Sequence, residues 1–203
     1  MTLHPMIQRR HFLILAGGAA LAACADKGET LPTFAPIRFK NLPAFRLNVE
    51  KVEIENRYRA PGVLPNVDHA MQNQPAAIAA AWAQDRLEAG GQPGGAIARF
   101  VIIDAHVVET ELAKTPGLKG TFTRDQAFKY DAHLKVEFSI RDEQGMTAGT
   151  ASADVTAMRT IKEDATETER LQLWNEIAET LGREMNAQLE KGIPQAVNRY
   201  LMF

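Results

Sequence analysis

Tyr130, Ala132, Leu134, Val136, Phe138 and Ile140 alternate without a break with Asp131, His133, Lys135, Glu137 and Ser139. Successive side chains of a strand leave opposite faces of the sheet, so this run reads as a strand with one face buried and the other wet. A helix cannot bury that set, because its 3.6-residue period scatters the apolar positions around the axis. Asp142-Glu143-Gln144-Gly145 then reads as a hairpin turn, and Ala151, Ala153, Val155 and Ala157 alternate again against Ser152, Asp154 and Thr156. A hairpin with one apolar face needs a cover, and the sequence offers helices on both sides of it. Thr166 with Glu169 is a capping box at the head of a long helix, with acidic residues crowding its first turn. Leu171, Trp174, Ile177, Leu181 and Met185 form its apolar stripe, which runs to about Lys191. Gly192 reads as its stop and Pro194 as the start of a short last helix.

Upstream, Phe45, Leu47 and Val49 alternate with polar residues, and Val52, Ile54 and Tyr58 continue in the opposite parity. The slip at Glu50-Lys51 predicts one strand with a β-bulge. Asn73 is a candidate N-cap with Pro75 just inside, and Ile78, Trp82 and Leu87 space out a helical face to Glu88. Gly90-Gly91 and Gly94-Gly95 bracket a flexible connection, Ala96 to Leu112 reads as one strand, and Thr115 to Ala127 as a long loop. Phe100-Val101-Ile102-Ile103 is apolar on both faces, as in a covered strand. The order strand, helix, three strands, helix predicts an α+β two-layer sandwich: a mainly antiparallel sheet of about four strands with two helices packed on one face. The expected division is a signal peptide over 1–23, a lipidated cysteine and tether over 24–43, and a single domain over 44–203.

The first 24 residues read MTLHPMIQRRHFLILAGGAALAAC. Arg9-Arg10 give a positive start, Phe12-Leu13-Ile14-Leu15 and the Ala/Gly run behind them an apolar middle, and Leu21-Ala22-Ala23 a small-residue end. The apolar stretch, about a dozen residues, is short of the roughly 20 that span a bilayer. Cys24 is the single cysteine of the chain, so an internal disulfide and a multi-cysteine metal site are both excluded. Leu21-Ala22-Ala23-Cys24 resembles the lipobox of bacterial lipoproteins. That resemblance implies a diacylglycerol on the thiol, removal of the leader and acylation of the freed amine. Two or more acyl chains hold a protein on a bilayer durably, since each buried methylene contributes about 0.8 kcal/mol. Ala25, rather than Asp, follows the cysteine, and by the sorting pattern of enteric lipoproteins this implies the outer membrane, facing the periplasm. Arg9, Arg10, Phe12 and Leu13 resemble the twin-arginine export signal, although Gln8 stands where Ser or Thr is common and Ile14 where Lys is.

Loss of Arg9 and Arg10 with the leader takes the net charge from −2 to −4. With no basic run after residue 24, neither nucleic acid nor a polybasic membrane patch is an expected partner. The two serines, Ser139 and Ser152, fall mid-strand and outside any Gly-x-Ser-x-Gly elbow, so nucleophilic catalysis has no candidate. Asp104 and His106 share a strand face and could bind a metal together, but no third ligand follows from spacing. His133 lies between Asp131 and Lys135 on a wet sheet face. The Gly90–Gly95 segment runs from helix to strand, the reverse of a phosphate loop. Trp82 and Trp174 are expected in the core, and the apolar end Tyr200-Leu201-Met202-Phe203 is expected to dock on the domain. The expectation is therefore a non-enzymatic envelope module, without metal or cofactor, that binds the membrane through its lipid and an envelope protein or glycolipid through its domain. The alternatives are a metal-binding or enzymatic domain centred on Asp104 and His106, and a purely structural envelope protein. Over roughly residues 44–191 the predicted layout resembles that of small auxiliary lipoproteins of lipopolysaccharide assembly and lipid transport; it shares their arrangement and no residue motif.

Overall fold

The structure is a computed structural model that describes residues 30–113 and 126–202. The predicted leader, Cys24 and most of the predicted loop after Thr115 lie outside the described residues. The architecture is α+β. A five-stranded sheet contains β2 (Lys51–Asn56), β4 (Ile97–Asp104), β5 (Val107–Glu111), β6 (Gln126–Arg141) and β7 (Thr147–Lys162), and a two-stranded sheet pairs β1 (Phe45–Leu47) with β3 (Leu87–Ala89). Helices α1 (Pro75–Arg86) and α2 (Glu167–Val197) complete the fold.

β6 is the spine of the larger sheet. One edge pairs antiparallel with β7 along almost its whole length; the other pairs antiparallel with β4 over residues 135–141 and with β5 over residues 128–132. β4 and β5 therefore run end to end along one edge, so the single strand expected over Ala96–Leu112 is broken. β2 pairs with β4 in parallel. The sheet is thus mixed and larger than the expected four strands, because α1 crosses over between β2 and β4 and returns the chain in the same direction. Within β6 the even positions from Tyr130 to Ile140 are all buried, between 0 and 3% exposed, and the odd positions 131–137 are not. The alternation thus fixes which face the helices cover. At the hairpin, Asp142 accepts hydrogen bonds from the amides of Gln144 and Met146, and Gly145 takes the positive φ of +79° that the turn requires.

α2 buries Trp174, Ile177, Ala178, Leu181, Met185, Leu189, Ile193 and Val197 against the sheet. Its capping box is present, with the Thr166 hydroxyl accepting from the Glu169 amide and the Glu169 carboxylate accepting from the Thr166 amide. The predicted stop at Gly192 is overturned: α2 continues through Gly192 and Pro194 to Val197. Burial of Ile193 and Val197, 0 and 1% exposed, outweighs the single backbone hydrogen bond that Pro194 removes.

Further expectations are corrected. The residues around Glu50-Lys51 are no bulge: β1 and β2 belong to different sheets, and the parity changes where the chain passes between them. Asn73 does not cap α1. Gln74 holds that position without a side-chain bond, while the Asn73 side chain bridges Ile37, Ala35 and Asn175. The helix stops at Arg86, and Leu87 begins a strand. Residues 31–43, read from their prolines as part of a tether, lie against the helices: Phe39 is buried, its amide donates to Asp85, and the Arg38 guanidinium pairs with the same carboxylate. The apolar chain end does dock, with Leu201 bridging Leu47 and the Met202 amide donating to the Arg46 carbonyl.

Candidate metal centre

Before Ile102 the register of β4 is regular: Ala98, Phe100 and Ile102 face the core opposite Ile140, Phe138 and Val136. A register shift between Ile102 and Asp104 then inserts one extra residue, Ile103. Without that bulge Asp104 would point into the core beside Leu134. With it, Asp104 lies opposite Lys135 on the outer face. Ala105 returns inward, His106 turns outward, and Val107 starts β5 facing the core. The His133 amide donates to the His106 carbonyl at 2.9 Å, which pins the break to the middle of β6.

The break brings three side chains together. His106 Nδ1 lies 2.9 and 3.0 Å from the two Asp104 oxygens, and His133 Nδ1 lies 2.9 Å from Asp104 Oδ2. One ligating atom from each residue fits within a 4.8 Å set. On its far side His133 Nε2 meets Asp154 Oδ1 at 2.8 Å, and Lys135 holds the other Asp154 oxygen at 3.0 Å. The side chains of Asp104, His106 and His133 are 29, 34 and 24% exposed, so the cluster is rooted in the sheet yet reachable from solvent.

Sequence spacing identified Asp104 and His106 and missed His133. The alternation placed His133 outward, but its nearness to Asp104 depends on the β4–β6 register and on the bulge, which no local pattern reveals. Asp154 is missed for the same reason, since it is brought in by β7.

The electrostatics are those of a coupled cluster. Burial, the largest single influence on Asp104, would raise its pKa, yet the hydrogen bonds and charges of His106 and His133 together hold it below the ordinary carboxylate value. Burial likewise works against a charge on His133, and Asp154 and Asp104 together outweigh it, raising the imidazole pKa. His133 and Lys135 lower the pKa of Asp154. A raised folded-state pKa contributes stability below the unfolded value near 6.5, and loses it as pH rises through the folded value. The lowered Asp104 value contributes above about pH 3.9 and is lost as pH falls through the folded value. In chelator-treated protein, urea titrations should therefore show His133→Gln costing most stability near pH 5.5 and least at pH 9. A cost that grows with pH would contradict this arrangement.

A second polar cluster lies on the covered side. The hydroxyl of the fully buried Tyr130 donates to Glu109 at 2.6 Å, and Arg170 pairs with the same carboxylate at 2.6 Å. Burial and the adjacent carboxylate raise the Tyr130 pKa, so the phenol stays neutral. This cluster ties α2 to β5 and β6, and its members are occupied with one another.

No family model matches this chain. No curated protein matches it either. Among solved structures it is similar to rare lipoprotein B from Shewanella oneidensis, at 8% identity and a TM-score of 0.38, covering 70% of this chain and 92% of that one. It is similar to a minor lipoprotein from Acinetobacter baumannii at 13% identity and a TM-score of 0.36, covering 75% and 96%. A PelC dodecamer from Paraburkholderia phytofirmans matches at 12% identity and a TM-score of 0.26, covering 70% and 86%. At that degree of overlap, what this chain does has to be argued from its own residues.

Proposed function

We propose that this chain is a lipid-anchored lipoprotein of the bacterial cell envelope, and that its domain acts by binding an envelope protein complex or a glycolipid rather than by catalysis. The observation that carries the reading is Leu21-Ala22-Ala23-Cys24 behind a twin-arginine start and a short apolar run. A compact unit begins at Leu31, a few residues after Cys24 in the sequence. Among the described residues no helix is long and apolar enough to cross a membrane, and this reading assigns attachment to the lipid. The two layers also support a binding role. Helices cover one face of the sheet, and the other presents Asp131, His133, Lys135, Ser152, Asp154 and Thr156 to solvent or part of the way to it. Ala25 after the cysteine favours the outer membrane on its periplasmic side.

Cys24→Ala should abolish incorporation of labelled palmitate and move the protein from the membrane fraction to the soluble periplasmic fraction. Unchanged membrane association of that variant would sink the anchor. In-cell crosslinking of the wild-type chain, read by mass spectrometry, tests the binding role. A defined transport or assembly complex supports it; only scattered abundant envelope proteins would point to a structural protein instead.

A further inference from the structure

We infer that Asp104, His106 and His133 form a binding site for a divalent transition-metal ion of the zinc class. Two imidazoles and one carboxylate are donors that suit zinc, copper, nickel and cobalt, whereas calcium and magnesium prefer all-oxygen sets. A tetrahedral ion with bonds of roughly 2.1 Å keeps its donors about 3.4 Å apart. Here the Nδ1–carboxylate distances are 2.9 to 3.0 Å and all three donors fit within 4.8 Å, so small rotations of the side chains admit the ion. The cation takes the place of the proton that each Nδ1 shares with Asp104; each imidazole then binds as a neutral ring with its remaining proton on Nε2, and any proton beyond that passes to solvent.

Two features beyond the donor set favour a built site. First, His133 offers Nδ1 to the ion while its Nε2–H points at Asp154, itself held by Lys135. A carboxylate behind the imidazole fixes ring and tautomer and raises ligand basicity, the arrangement usual for metal-bound histidine. Second, the bulge at Ile103 turns a carboxylate out of the core to meet two imidazoles, and the backbone bond from His133 to His106 holds the two histidines side by side. Three protein donors leave a fourth position for water or for a group brought by a partner.

The test uses the chain purified from cells in detergent and stripped with chelator, with Zn2+ and Co2+ as probes. One equivalent of Zn2+ should bind saturably and raise the melting temperature, and Co2+ should give the visible absorption of a low-coordinate nitrogen–oxygen site. His106→Ala and His133→Ala should each weaken Zn2+ binding at least tenfold, and His69→Ala should leave it unchanged. Absence of saturable Zn2+ binding overturns the site, and so does binding retained in the His106→Ala/His133→Ala double variant. Should circular dichroism show His133→Ala unfolded, His106→Gln and the wild-type Co2+ spectrum decide alone. None of these readouts depends on whether Cys24 carries lipid.

Discussion

Arg86→Ala should destabilise the domain by about 3–5 kcal/mol, roughly 10 °C in melting temperature, the largest loss expected from a single polar residue here. Arg86 is 1% exposed at the end of α1. Its guanidinium donates to the Pro43 carbonyl at 2.9 Å, to Asn186 Oδ1 at 2.5 Å and to Glu190 at 2.9 Å. The same group lies over the rings of Phe45 and Trp82, 5.0 and 5.7 Å from their centroids. One side chain therefore joins the segment before β1, the first helix and the last helix. Trp82 Nε1 also donates to Asn186 Oδ1, so that oxygen stays paired in the variant. Glu190 is 43% exposed and can turn to water. The loss therefore comes from the void and the missing donors, not from a stranded buried charge. Arg86→Met keeps most of the volume and should cost about half as much by urea denaturation. Equal costs for the two variants would assign the whole effect to the hydrogen bonds.

Gly149→Val should cost about 3 kcal/mol or more, for a steric reason. From Gly149 to Ala157 the inner face of β7 is built from small residues, Gly149, Ala151, Ala153 and Ala157, with Val155 the one larger side chain in that stretch. α2 can lie close on it for that reason. A Cβ at position 149 would stand 2.2 Å from the Ala196 carbonyl oxygen and 2.9 Å from a Val197 methyl, so the end of the helix has to lift. Amide exchange at residues 193–197 should accelerate in the variant well before the rest of α2. The exposed neighbour Thr150→Val should stay within about 0.5 kcal/mol of wild type. A Gly149→Val protein as stable as wild type would show that the helix end is not seated as described.

What the sequence disclosed and what it hid follow from the range of the forces involved. The β6–β7 hairpin was readable because alternation, turn and register are set by residues near one another. The capping box was readable because it is made within one turn. The halves of Phe45–Asn56 could not be assigned to different sheets, since parity says which face a residue takes and not which neighbour it pairs with. Gly192 and Pro194 gave correct local signals that distant burial overrode. In the same way, Asp104 and His106 stand two residues apart and could be paired on paper. His133 joins them only through strand register and one inserted residue, and Asp154 only through a third strand.

Along β6 alternate residues answer to separate demands. A shift of one position would send Leu134 into water and His133 among the helices, so the packing that keeps the fold also enforces the placement of the outward groups. Within that frame an outward side chain can be exchanged without disturbing the buried face. A strand of this kind can acquire, lose or retune a ligand set one residue at a time while the layer beneath stays the same.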